Sequence, residues 1–105
     1  MRIFQPAAYA VPVSPDSIRA DHPGFSFATY TDPPGQVWDD FRHDDVDEFV
    51  VVAAGRVEIE VGQVRQLCGP GDLVRIPAGA RHSLRTTKDA GSVWHYGYGR
   101  FGAVP

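Results

Sequence analysis

The sequence predicts an all-β protein, and three features of its 105 residues indicate that class. Thirteen valines stand beside three leucines, a balance that suits pleated strands better than helices. Eleven glycines and nine prolines interrupt the chain so often that few windows could hold a regular helix. Short runs of alternating apolar and polar residues recur about every 8–12 residues, which is typical of a sandwich or a barrel.

The composition limits the classes of function. A chain of this length has room for one domain with one core. The formal net charge of -3 and the scattered arginines argue against a nucleic-acid partner, which would require a basic patch. The sequence contains neither an apolar run long enough for a membrane span nor a secretory leader. The single cysteine, Cys68, can form no intrachain disulfide, so we predict a cytoplasmic protein.

The N-terminal third carries the least regular pattern. Residues 3–4 and 9–13 are expected to form short edge strands, because Pro12 lacks the amide hydrogen that a central strand donates. A brief helical turn is expected to begin at residues 14–17. Residues 25–30 alternate and predict a strand, which a proline-rich turn ends.

The next strand is predicted to lead to His43. Successive side chains of a strand point to opposite faces, so counting back by twos from His43 predicts which residues share its inward face. These are Phe41, Asp39 and Val37, whereas the residues expected to point the other way are Trp38, Asp40 and Arg42.

Residues 48–54 predict a strand that is apolar on both faces. The face of Glu48 continues with Val50 and Val52. The opposite face carries Phe49 and Val51, which is too apolar to be left in water. Either the N-terminal segment or a second subunit is therefore expected to cover it.

Five further strands follow from alternation between glycine turns, at residues 56–61, 64–68, 73–76, 80–86 and 93–100. Gly62 suits a two-residue hairpin turn. In the last strand His95 is expected on the face opposite to Trp94, Tyr96 and Tyr98.

Two segments of the chain carry spaced polar residues and glycines. The first places His43, Glu48 and Gly55 at fixed intervals, and the second places Gly71, Pro77, Gly79 and His82. Together the two segments resemble the paired motifs of the cupin superfamily. Two positions depart from that pattern, since Phe41 stands at the first histidine and Thr86 at the final asparagine.

The resemblance implies a small double-stranded β-helix, a jelly-roll barrel. We expect one cupin domain over residues 1–105. Residues 1–34 would form N-terminal strands and loops, and residues 35–100 would form the barrel with both motifs.

The resemblance also implies that His43, Glu48 and His82 are metal ligands. A carboxylate inside a barrel is costly unless it is paired or binds a metal. Two imidazoles and one carboxylate suit a divalent transition metal, with Zn, Fe, Ni, Mn and Cu as candidates. Asp39 could replace the ligand missing at Phe41, although a rim position fits it better. His95 could approach from the last strand, although a hydrogen-bonded or exposed histidine fits it better.

Two functions stay open at this point. The first is a metal-dependent enzyme, similar to a dioxygenase or an isomerase, that acts on a small organic molecule. The second is a non-catalytic module that binds or senses such a molecule with an incomplete metal site. The sequence assigns no catalytic residue.

We also predict a homodimer. The apolar face at Phe49 and Val51 and the aromatic last strand both offer contact surfaces. Small cupins commonly pair through outer strands, so the resemblance points the same way.

Overall fold

The computed structural model describes residues 1–102, which form nine strands and one short helix. In chain order these are β1 (Phe4–Gln5), α1 (Pro15–Asp21), β2 (Ala28–Asp32), β3 (Val37–Phe41), β4 (Asp47–Ala54), β5 (Val57–Val61), β6 (Val64–Cys68), β7 (Leu73–Ile76), β8 (His82–Thr86) and β9 (Ser92–Gly99). The strands form two antiparallel sheets, ordered β1-β7-β4-β9-β2 and β3-β8-β5-β6. The predicted all-β, jelly-roll class is confirmed.

The main core lies between the two sheets. The five-stranded sheet contributes Val50 and Val52 from β4, and the four-stranded sheet contributes Val57 and Ile59 from β5, all fully buried. Strand β5 alternates buried and half-buried residues along its length, as the sequence predicts for a strand with one inward face.

The outer face of β4 is covered by the chain itself. Phe49 and Val51 pack with Ile18 of α1, and parts of residues 8–27 and Phe101 close over them. Helix α1 begins where Ser14 caps it, its hydroxyl accepting a hydrogen bond from the amide of Ser17 at 3.4 Å. Of the two expected covers, the structure has the N-terminal segment.

Two N-terminal expectations are wrong. Residues 9–13 form bends rather than a strand. Pro12 has no amide hydrogen to donate, and the Tyr9 amide donates to the carbonyl of Gly71, in the turn before β7. The strand predicted over 25–30 begins only at Ala28. The short edge strand near the N-terminus is confirmed as β1.

Strand β3 contains a bulge that changes which side chains face inward. Trp38 pairs with Leu84 and Phe41 with His82, so three steps along β3 match two along β8. The extra residue shifts the alternation, and Trp38 packs against the core while Asp39 is exposed. The prediction that Val37 and Asp39 share the inward face is therefore wrong.

The one helix in the described part of the chain has seven residues. No helix there has both the length and the apolar character needed to cross a bilayer.

Candidate metal centre

The three predicted ligands meet at one end of the barrel. His43 lies in the loop after β3, Glu48 is the second residue of β4, and His82 is the first of β8. Glu48 and His82 thus come from different sheets. A hydrogen bond from the Gly79 amide to the backbone carbonyl of His43, at 2.8 Å, holds the loop in place.

The Glu48 carboxylate lies between the two imidazoles. Its Oε1 is 3.4 Å from Nε2 of His43 and 3.3 Å from Nε2 of His82. Glu48 and His82 are each 4% exposed. Glu48 Oε1 is the one buried side-chain nitrogen or oxygen among residues 1–102 that lacks a hydrogen-bond partner.

This spacing fits a metal ion better than a hydrogen bond. Ligand atoms about 2.1 Å from a tetrahedral ion are about 3.4 Å apart, close to both Glu48–histidine distances. The three ligand atoms lie within 4.8 Å of one another, so His43, Glu48 and His82 could hold a metal ion. An orphaned buried carboxylate oxygen, which is costly by itself, would gain its partner.

The ring of His82 is oriented by the backbone. Its Nδ1 lies 3.2 Å from the carbonyl of Ala80, so the tautomer protonated at Nδ1 donates there and turns the Nε2 lone pair towards Glu48. Burial disfavours the charged ring, but the Glu48 carboxylate and the Ala80 carbonyl outweigh it and raise the pKa of His82. A metal ion bound at Nε2 of His82 would have to displace the proton that this raised pKa favours on Nε2.

A cavity of about 110 Å³ lies beside the three residues. Leu84 and six aromatic side chains complete its wall, namely Tyr30, Trp38, Phe41, Trp94, Tyr96 and Tyr98. Burial, together with the charge of Glu48 and the neighbouring tyrosines, raises the pKa of Tyr98 to about 12. The Tyr98 hydroxyl therefore stays protonated at neutral pH and can donate a hydrogen bond into the cavity.

Two of the aromatic walls are fixed by a single buried carboxylate. Asp32 Oδ2 accepts hydrogen bonds from the indole Nε1 of Trp38 and of Trp94, each at 2.9 Å. Asp32 is 6% exposed. Asp32, Tyr30 and Trp38 were not predicted from the sequence as residues of the site. Alternation of Tyr30 with Asp32 on one strand face was the available signal, whereas the bulge in β3 concealed Trp38.

The position without a histidine lies at the mouth of the cavity. Phe41 is 41% exposed, and its ring centroid is 6.4 Å from that of His82. The ring lines the cavity beside the ligands and offers them no donor atom.

The two auxiliary candidates lie elsewhere. Asp39 accepts a hydrogen bond from the Ser83 hydroxyl at 2.9 Å and approaches Arg85 at 3.6 Å, on the outside of β3. His95 contacts the Thr29 hydroxyl at 2.8 Å and stacks on Phe27, on the outer face of β9. Among residues 1–102, neither joins the cluster of His43, Glu48 and His82.

The chain was compared with models of protein families and with curated proteins. The family model described as "Cupin domain" matches residues 28–96, about two thirds of the chain. A search of curated proteins finds no match.

Several solved structures are similar to this chain. TT1209 from Thermus thermophilus is 27% identical with a TM-score of 0.64, over 69% of this chain and 70% of that one. The Schizosaccharomyces pombe Cnp3 cupin domain is 14% identical with a TM-score of 0.68, over 74% and 57%. Oxalate oxidase in complex with the substrate analogue glycolate is 16% identical with a TM-score of 0.66, over 71% and 41%. For the last two the likeness shows the fold, and the match spans less than two thirds of those chains.

Proposed function

This chain belongs to the cupin family, and from that premise we propose that it binds one divalent transition metal and acts on a small organic molecule beside it. The ligands are His43, Glu48 and His82. The observation that carries the proposal is the buried, unpartnered Glu48 Oε1, which two histidine nitrogens approach at 3.3 and 3.4 Å.

The ligand set favours a borderline divalent cation, that is Zn, Fe, Ni, Mn or Cu. Three protein ligands leave positions open for water or substrate, which is the arrangement of catalytic rather than structural metal sites. Phe41 keeps those positions open, because its ring occupies the cavity mouth without contributing a ligand atom.

The reaction would be similar to that of a dioxygenase or an isomerase. A bound ion would polarise an oxygen of the substrate or activate oxygen. Around it, the aromatic walls exclude water and hold a planar molecule, and the Tyr98 hydroxyl donates a hydrogen bond to it. The Ala80 carbonyl keeps His82 in the tautomer that presents Nε2.

A second function is a non-catalytic module that binds or senses a small molecule in the same cavity. The observation that favours it is the composition of the wall. Apart from the three ligands and the tyrosines, no side chain that could transfer a proton lines the cavity within residues 1–102. Metal-dependent turnover of any substrate would decide for the enzyme.

Metal titration of chelator-treated protein by calorimetry tests the proposal. The parent should bind one equivalent, and His82→Ala should bind none while keeping its β-type circular dichroism. His95→Ala is the matched control, because His95 is equally part of the barrel but lies on its outer face. Equal binding by the parent and His82→Ala would overturn the ligand assignment.

The homodimer and the cytoplasmic location belong to the proposal too. The face at Phe49 and Val51 no longer supports a dimer, since the chain covers it. Support now comes from the family resemblance and from the exposed Val64 and Leu67 on the edge strand β6. Light scattering at micromolar concentration should give twice 11.5 kDa, and a monomer mass would refute the dimer.

A further inference from the structure

A second and larger cavity lies on the outer side of the five-stranded sheet. Its volume is about 420 Å³, nearly four times that of the cavity beside His82. Sites for small organic molecules span about 300–1,000 Å³, so this cavity could bury a whole small ligand. Its wall includes residues from β1, α1, β7 and the segment after β9.

The floor of this second cavity is apolar. Leu73, which is 3% exposed, lies beside Ala8, Phe25 and Phe101. The rings of Phe25 and Phe101 are 5.2 Å apart and tilted at 38°. Such a surface suits the flat body of an aromatic ligand.

Two unpaired cations stand at its edge. Arg75 and Arg100 line the cavity, and neither forms an ion pair with a carboxylate among residues 1–102. Five of the nine arginines form such pairs within residues 1–102, and Arg75 and Arg100 are not among them. Arg75 uses its Nη1 for the Arg2 carbonyl at 3.1 Å, so the rest of its guanidinium stays available.

Two further polar side chains of the wall, Asp21 and His22, form hydrogen bonds within the chain. The Asp21 carboxylate accepts a hydrogen bond from the Tyr9 hydroxyl at 2.9 Å. His22, 7% exposed, uses Nδ1 for the Ile18 carbonyl at 2.8 Å. Its Nε2 takes part in no hydrogen bond within the described residues, although the atom is not sealed off from solvent. This nitrogen is therefore free to hydrogen-bond with water or with a ligand in the cavity.

We propose that this second cavity binds a small aromatic carboxylate. The carboxylate pairs with the guanidinium groups of Arg75 and Arg100, and the ring lies on Leu73, Phe25 and Phe101. Arginine matches a carboxylate in a two-bond geometry, which a neutral ligand of the same shape cannot use. The inference does not depend on the metal site, which lies on the other face of the sheet.

The test is amide NMR titration of the full chain with 2-naphthoate, its neutral counterpart 2-naphthamide and inorganic phosphate. We expect 2-naphthoate to shift the amides of Ala8, Leu73 and Phe101 in a saturable way, and to leave Leu84 and Tyr98 unchanged. Arg75→Gln and Arg100→Gln should each weaken binding about tenfold, the effect of losing about 1.4 kcal/mol of charged hydrogen bonding.

Arg65→Gln is the control, because Arg65 lies on β6 away from the cavity. The side chain of Arg100 makes no hydrogen bond to residues 1–102, so Arg100→Gln separates ligand contact from any change of fold. Three results would overturn the proposal: equal affinity of naphthoate and naphthamide, equal affinity of parent and both arginine variants, or phosphate binding as tightly as naphthoate.

Discussion

Glu48 Oε1 lies 3.3 Å from Nε2 of His82 in a buried environment, yet it has no hydrogen-bond partner among residues 1–102. A fold that leaves a carboxylate oxygen in this state loses stability unless a ligand offsets the loss. The distances from Glu48 Oε1 to the two histidine nitrogens are close to those between neighbouring ligands of a transition metal. A bound metal would therefore offset the free energy that the unpartnered carboxylate oxygen costs the metal-free protein.

That cost is measurable in Glu48→Gln. Glutamine keeps the size of the side chain and removes its charge, so at a pH where His82 is neutral the metal-free variant should be more stable than the metal-free parent by about 1–3 kcal/mol. Metal affinity should fall at the same time, because an amide oxygen is a weaker ligand. Urea unfolding in the presence of a chelator measures the first effect. Glu60→Gln, a half-buried glutamate on β5, is the control, and a destabilised Glu48→Gln would contradict the account.

Phe41→His should tighten metal binding at least about tenfold, because it adds a donor beside a converging ligand set. The loss of packing should be small, since Phe41 is 41% exposed. Phe41→Leu is the matched control, because leucine adds no donor. Metal titration of the three metal-free proteins measures the effect. Equal affinity of Phe41→His and Phe41→Leu would mean that position 41 cannot reach the ion.

Asp32 should be critical for the cavity wall. Asp32→Leu leaves the indole N–H groups of half-buried Trp38 and buried Trp94 without their acceptor, so it should destabilise the fold by about 3 kcal/mol. Asp32→Asn retains an acceptor oxygen and should cost less. Urea unfolding followed by tryptophan fluorescence distinguishes the two variants, and equal stability would show that the indole bonds do not hold the wall.

The stability of the fold should depend on pH through His95. Burial, helped by the charge of Arg19, lowers the pKa of His95 in the folded state. The unfolded chain then binds more protons between the folded pKa and the ordinary value of about 6.5. The stability from neutral His95 is present above about pH 6.5 and is lost as pH falls through the folded pKa. As the pH falls through that window, the free energy of unfolding of the parent should fall towards that of His95→Gln. A difference between the two that does not change with pH would contradict the lowered pKa of His95.

The sequence predicted most of the barrel because alternation and glycine turns are local signals. Strands β4 to β9 lie close to their predicted bounds, and Gly62 has a positive φ of 60° in the predicted hairpin. The bulge in β3 had no such signal. It depends on pairing with β8, with Asp40 at a φ of 59°, and it moved Trp38 inward and Asp39 outward.

The candidate site was predicted to a similar degree. Motif spacing selected His43, Glu48 and His82, which the fold brings within reach of one another. The walls could not be predicted, since Asp32 meets Trp38 and Trp94 only through the packing of two sheets. The apolar outer face of β4 predicted that another part of the structure covers it. Periodicity could not decide whether the N-terminal segment or a second subunit does so.

The most direct test of the central claim is elemental analysis of the protein purified without an affinity tag, beside His82→Ala purified in the same way. The account predicts about one equivalent of a single transition metal in the parent, natively or after reconstitution, and none in the variant. A parent that holds no metal after reconstitution, or a variant that holds as much as the parent, would contradict it.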